Sequence, residues 1–242
     1  MKPQDKIMGV LGKSEYDDYV RAEWTLFFKD QQRAVATLEV LAGITVSKVL
    51  DVGCGAAQEL FPLVTTKRAF GVGVDAAPEA GHAARTLFTR HAPDARVAFI
   101  RSIAEALPFQ SETFDVVLCR LALPYTDNSS ALAEFARVLR PGGVLLLKVH
   151  SAHYYLRKFR RGLRSRDLRS MAHAARVLVT GTLYLLTGRQ PRSRMTGFET
   201  FQTWRMMIRY FERDGMLPSM AMPDSKQDTP SYLITKSTAA KS

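Results

Sequence analysis

Two short apolar runs, each carrying an aspartate at its end and separated by one strand-to-helix unit, constrain this 242-residue chain most. The first reads Val49-Leu50-Asp51-Val52-Gly53-Cys54-Gly55. The second, Gly71-Val72-Gly73-Val74-Asp75, ends twenty residues after Gly55. Lys48–Val52 is short, β-branched and closed by glycine, which predicts a buried strand. Gly53 and Gly55 permit a tight turn in which the backbone comes close to a bound molecule. Asp75, ending the next strand, can accept from both hydroxyls of a ribose. The pair therefore predicts a nucleoside-bearing ligand beyond the strand carboxyl ends.

A dinucleotide fingerprint asks for a third glycine that packs helix on strand. Gln58 stands there, which weakens a nicotinamide or flavin reading. The run resembles instead motif I, D-x-G-x-G, of the class I S-adenosylmethionine (SAM) methyltransferases. Three further stretches follow in order: Glu105-Ala106-Leu107-Pro108-Phe109, Thr113-Phe114-Asp115-Val116-Val117, and Phe135 through Arg137-Val138-Leu139-Arg140-Pro141-Gly142-Gly143 to Leu145. Together they resemble the type 11 methyltransferases, which include ubiquinone and menaquinone biosynthesis enzymes, over about residues 35–150.

The resemblance implies an α/β Rossmann-like fold. Its sheet would be seven-stranded and mostly parallel, with helices on both faces and a helical lid inserted after strand five. It implies SAM as cofactor. Asp51 would hold the methionine ammonium, Gly53 to Gly55 would pass under the sugar and methionine, and Asp75 would take the ribose diol. Cys54, Ala76 and Arg120 join the cofactor-binding set. The aspartate that relatives commonly offer to adenine is replaced by Ile103, so apolar packing, the Ala104 N–H or Glu105 would serve adenine. Many relatives carry a histidine after strand four, where this chain has Pro124.

A sulfonium is already a good leaving group, so transfer needs mostly placement of nucleophile and methyl. An oxygen nucleophile also profits from a base. His150 and His153, at the end of strand five, are the candidates. Tyr16, Tyr19 and Trp24 on an N-terminal helical lid, with Tyr125 and Tyr154, are expected to line the acceptor pocket. No second carboxylate joins Asp127, and no metal is expected.

The order of elements is read from periodicity and breakers. A helix is expected over 14–46, strands at 48–52, 69–74, 96–101, 114–119 and 144–149, and helices at 56–65, 78–91 and 129–139. A mostly helical stretch should span 153–187 and another helix 198–213, with closing strands at 216–222 and 231–236. One domain is expected: N-terminal lid 1–46, SAM core 47–150, basic insertion 151–197, closing elements 198–242.

Net charge is +11, and its placement is informative. Residues 151–197 carry 11 basic side chains against one acid, Asp167, whereas the remainder nearly cancels. A basic stretch beside an apolar one fits a helix lying on an anionic membrane through 157–187, or a grip on a lipophilic acceptor with an acidic end. Few aromatics interleave with the arginines, so nucleic acid is a weaker expectation. Two cysteines are too few for a disulfide scaffold, and Met1–Lys6 lacks a signal-peptide core, so the expected place is the cytoplasm. The resulting expectation is SAM-dependent methylation of a small or lipophilic acceptor, at oxygen before nitrogen or carbon. An RNA methyltransferase and a SAM-binding protein without turnover stay open, as does the oligomeric state.

Overall fold

The computed structural model describes residues 13–192 and 197–238; within these, the side chains of residues 13–17, 19 and 218–220 lie outside the description. The elements run α1 (Lys13–Lys29), α2 (Gln32–Val40), β1 (Lys48–Val52), α3 (Phe61–Thr66), β2 (Phe70–Asp75), α4 (Pro78–His91), β3 (Val97–Arg101) and β4 (Phe114–Arg120). Then come α5 (Asn128–Val138), β5 (Leu139–Lys148), α6 (Ala152–Ser165), α7 (Leu168–Thr187), α8 (Trp204–Arg213), β6 (Met216–Ala221) and β7 (Ser231–Lys236). The seven strands form one sheet in the order β3-β2-β1-β4-β5-β7-β6. Of these seven strands, β7 runs opposite to the other six. The order reverses direction between β1 and β4, which is where an open α/β sheet leaves a crevice for a ligand.

Burial on both faces explains the near-continuous apolar strands. Side chains alternate along a strand. Val49, Val116, Leu118, Val144 and Leu146 therefore enter one core with Leu63, Ala84 and Phe88 of α3 and α4. Leu50, Val52, Val117, Cys119, Leu145 and Leu147 enter the other, with Phe135 of α5 and Met207 and Phe211 of α8. A third, smaller cluster, Tyr155, Val177, Tyr184, Phe201 and Met206, lies under α6 and α7.

The later motifs are structural ties. Asp115 accepts from the backbone N–H of Ser47 and Lys48 and pairs with Arg140 at 2.7 Å, so it joins the starts of β1, β4 and β5. Arg137 donates to the carbonyls of Phe109 and Leu107, while Glu134 accepts from Leu107 N–H at 2.7 Å. That clamp fastens the Leu-Pro-Phe loop to α5.

Several boundaries differ from the periodic reading. The expected single helix over 14–46 breaks into α1 and α2 near Asp30. Residues 56–60 form turns before α3, because the backbone there is spent on the glycine loop. Residues 199–203 are extended rather than helical; Gln202 N–H donates to His150 O and Thr200 N–H to Pro124 O. Those bonds draw the segment against the sheet, and Thr203 caps α8 through its side chain. β5 starts at Leu139, directly after α5.

Candidate functional site

The loop after β1 is set by β2. Gly53 and Cys54 both donate their N–H to Val74 O, at 2.8 and 3.0 Å. Gly53 adopts φ +70°, and a Cβ there would sit 2.3 Å from Ala122 Cβ, so the loop needs glycine for conformation and space alike. Asp75 holds the same turn: its Oδ2 accepts from Gly55 N–H and its Oδ1 from Ala77 N–H, each at 2.9 Å. Burial raises its carboxyl above the usual range, against those backbone bonds. A carboxylate has about four acceptor sites, so two remain for ligand hydroxyls.

A cavity of about 470 Å³ opens beside this turn. Its wall includes Asp51, Gly53, Cys54, Gly55, Asp75 and Ala76 from β1, β2 and their loops. Ser102, Ile103 and Ala104 follow β3, Arg120 closes β4, and Ala122 and Tyr125 follow it. Lys148 and His150 come from the end of β5, and Glu23 and Arg33 from α1 and α2. The expected cofactor-binding residues, apart from the alternative adenine partner Glu105, thus lie in one wall. The volume falls in the range of small-molecule sites.

Asp51 is 2% exposed, and its Oδ2 has no hydrogen-bond partner. Burial, then Glu59 and Asp75, push its carboxyl well above the usual range; Arg120 alone among the named causes opposes them. An ammonium group placed against that oxygen relieves the burial and the repulsion together. The donor set therefore fits the methionine end of SAM.

Beside Asp51 runs a chain of ion pairs. Arg33 meets Glu59 at 3.0 Å, Glu59 meets Arg120 Nε at 3.3 Å, and Arg120 pairs with Asp224. Lys148 joins Asp224 at 2.8 Å. Burial pulls the Lys148 ammonium down, while Asp224 opposes it. Arg120 Nη1 is buried without a partner. Of this chain, Arg120 alone is among the expected residues. A lysine closing an otherwise apolar strand is the sequence signal for Lys148; Arg33, Glu59 and Asp224 carry none, since their partners are distant in sequence.

The two histidines separate. His150 lines the cavity, stacks on Tyr154 at 4.1 Å between centroids, and keeps Nδ1 buried without a partner. Burial pulls its imidazole down to about 4, so it is neutral at pH 7. His153 is exposed on α6 and is not part of the cavity wall. Trp24 also departs from the expected acceptor lining. It is buried among Phe28, Phe61, Phe88 and His91, and its Nε1–H donates to Ala56 O at 2.7 Å. Its large apolar ring is worth more in that core than at a solvent-filled wall. Tyr125 is in the wall, whereas Tyr154 borders it only through His150. The side chains of Tyr16 and Tyr19 lie outside the described residues. Glu105 accepts from Asp127 N–H at 2.9 Å and is absent from the wall, so adenine would meet Ile103 and Ala104 rather than that carboxylate.

A family model described as a methyltransferase domain matches residues 50–147. Over 112 residues the chain is 36% identical to an uncharacterized methyltransferase, YcgJ, of Bacillus subtilis, covering 43% of this chain and 41% of that protein. It is 39% identical over 119 residues to the erythromycin 3''-O-methyltransferase of Saccharopolyspora erythraea, covering 48% of this chain and 39% of that one. It is 50% identical over 52 residues to the ubiquinone/menaquinone biosynthesis C-methyltransferase UbiE of a Marinomonas species, covering 21% of each. The chain spans about two fifths or less of the length of these relatives. The crystal structure of YcgJ superposes with a TM-score of 0.59 at 18% identity, covering 86% of this chain and 99% of that one, which is a likeness of fold.

Proposed function

We propose that the chain, whose residues 50–147 match the methyltransferase-domain model, is a class I SAM-dependent methyltransferase of the type 11 family that methylates a small or lipophilic acceptor at oxygen. The buried, unpartnered Asp51 oxygen in the 470 Å³ cavity carries the reading, because it asks for a cation where the family's cofactor has one. When bound, SAM supplies an electrophilic methyl on a sulfonium. Asp51 meets the ammonium, Arg33 and Arg120 offer cations to a carboxylate, and Asp75 accepts from the ribose. Ile103 and Ala104 flank the base.

The preference for oxygen rests on His150. His150 lines the cavity and its imidazole is neutral, so a ring nitrogen turned to the cavity would accept a hydrogen bond from an acceptor hydroxyl and orient it. An imidazole with so low a pKa is a weak base for a free hydroxyl. It is adequate once the new C–O bond has formed, because the resulting oxonium is far more acidic than an imidazolium. Tyr125 borders the same space.

The reading is tested by titrating SAM by calorimetry and then assaying S-adenosylhomocysteine release with a panel of phenols, sugars, carboxylates and quinols. SAM binding with turnover on a hydroxyl, abolished by His150→Phe without loss of SAM affinity, is the expected result. Turnover confined to a carbon or nitrogen nucleophile, or unaffected by His150→Phe, removes the oxygen assignment. Failure to bind SAM removes the whole reading.

A further inference from the structure

We infer that α6 and α7 form a docking surface for an anionic lipid bilayer, with α7 lying along the interface and α6 meeting the phosphates. α7 buries Ala174, Val177, Gly181 and Tyr184 on one side. Leu168, Ala172, Val179, Leu183 and Leu186 recur three, four or seven apart and fall on the other side, all exposed. Leu168 is 74% exposed, Val179 60% and Leu186 76%. A 20-residue helix is about 30 Å long, so the stripe is long, and it carries no charge. Among the described residues no helix is long and apolar enough to cross a membrane, so α7 would lie on a bilayer rather than span it.

α6 supplies the complementary charge. It buries Tyr155 and Gly162 and exposes Arg157, Arg160, Arg161 and Arg164. The two helices join at Arg166, which is left-handed at φ 55°, and Asp167, whose carboxylate accepts from Arg169 and Ser170 N–H. The segment's one acid is thereby spent on a cap. Between the helices a cleft of about 180 Å³ is lined by Arg157, Lys158, Arg161, Ser165, Asp167 and Ser170 among others; Arg157 pairs with Asp228 and Asp167 is held in its cap, which leaves Lys158 and Arg161 as the cations facing the cleft. Cationic groups and a long apolar stripe on adjoining helices match the two layers of an anionic membrane surface: headgroup and acyl boundary.

The other occupants fit less well. A second copy docking on both helices about a two-fold axis that crosses them would bring the arginines of α6 against each other. Nucleic acid would use the arginines and leave the leucines in water. Two of the three Tyr and Phe rings of α6 are already engaged, Tyr154 on His150 and Tyr155 in the third core cluster, which leaves Phe159 alone of them for base stacking. The surface is also independent of turnover, so it can be tested without knowing the acceptor.

The test is sedimentation of the full chain with vesicles of phosphatidylcholine alone and of phosphatidylcholine mixed with phosphatidylserine. Binding to the mixed vesicles only, weakened by salt, is expected. Arg160→Gln, Arg161→Gln and Arg164→Gln combined should weaken it on the order of a hundredfold at low salt. Leu183→Gln with Leu186→Gln should also weaken it, with an unchanged melting temperature. In case that variant fails to fold, Leu186→Trp gives a separate reading: its emission should shift to the blue with mixed vesicles and stay put with phosphatidylcholine. Equal binding to both vesicle types, no binding to either, or no emission shift overturns the inference. So does a concentration-dependent dimer dispersed by Leu186→Gln in a chain that ignores vesicles. RNA binding lost with the arginines but indifferent to the leucines, in such a chain, also overturns it.

Discussion

Asp51 and Asp75 are both aspartates at strand ends, yet the structure gives them opposite energetics. Asp51 has an oxygen without a partner, whereas both Asp75 oxygens accept backbone N–H groups. Removing the charge at 51 should therefore cost SAM binding but not the fold. Asp51→Asn is expected to weaken SAM by about 1.5–3 kcal/mol, the worth of a charged hydrogen bond, and to leave the unliganded melting temperature unchanged or raised. Calorimetry beside a thermal melt checks both; a lower melting temperature with full affinity would contradict the assignment. Asp75→Ala should lose on both counts, because Gly55 and Ala77 N–H groups are left without acceptors, at about 1–3 kcal/mol of stability. An unchanged melt would mean that the turn holds without it. His150 sets a pH dependence. Its imidazole is near 4 in the fold against an ordinary 6.5, so the unfolded chain takes up the proton first as pH falls. Its contribution to stability is complete above pH 6.5 and is lost progressively down to about 4, up to about 3 kcal/mol in all. His150→Gln should flatten urea midpoints across that window relative to the parent; parallel curves would refute it. Asp51, Gly53, Gly55 and Asp75 were legible in the sequence because a local turn carries them. The pairing of Arg120 with Asp224, 104 residues away, was not, because nothing local marks it.

At the scale of elements, the strands and the alternating helices could be read directly, since burial on both sheet faces writes itself as unbroken Val and Leu. The elements that escaped are those whose backbone is claimed by a distant partner. Residues 199–203 have the composition of a helix start, but Gln202 and Thr200 donate to the loops after β5 and β4. Once there, the segment anchors α7. The Glu199 carboxylate bonds His173 and Arg176, at 2.9 and 2.8 Å, and the Phe201 ring lies against Gly181. Burial raises the Glu199 carboxyl, but His173 and Arg176 outweigh it and hold the group below the usual range. Gly181 is thus a contact point where no side chain fits. A Cβ there would sit 2.3 Å from Phe201 Cδ1. Gly181→Ala gains about 1 kcal/mol of helix propensity, but overpacking costs about 1–3, so net destabilisation is expected. Denaturant titration checks it. A more stable variant would show that Phe201 can turn aside at little cost.

The molecule as a whole has two large cores, one on each face of the sheet, and a small third one under α6 and α7. Opening the third cluster exposes little of the other two, whereas opening β1, β4 or β5 exposes both. Free energies of local opening scale with what is exposed, so α7 should open in a sub-global step below the free energy of complete unfolding. SAM adds a way to separate the two events. A ligand that binds only the folded site raises the cost of any opening that destroys the site, by an amount set by its concentration over its dissociation constant, and leaves other openings untouched. Asp51, the Gly53–Gly55 turn and Asp75 belong to the strands and not to α7. In amide hydrogen exchange, the amides of β1, β4 and β5 are therefore expected to be the slowest and to slow further together on adding SAM. Those of the outer half of α7 should exchange faster and respond little. The first turn of α6, which follows His150 directly, should respond with the strands. If α7 gained as much protection as β1, the helical pair and the sheet would form a single cooperative unit. The third cluster would then be part of the machinery that holds the cofactor, instead of a separately stable platform attached to it.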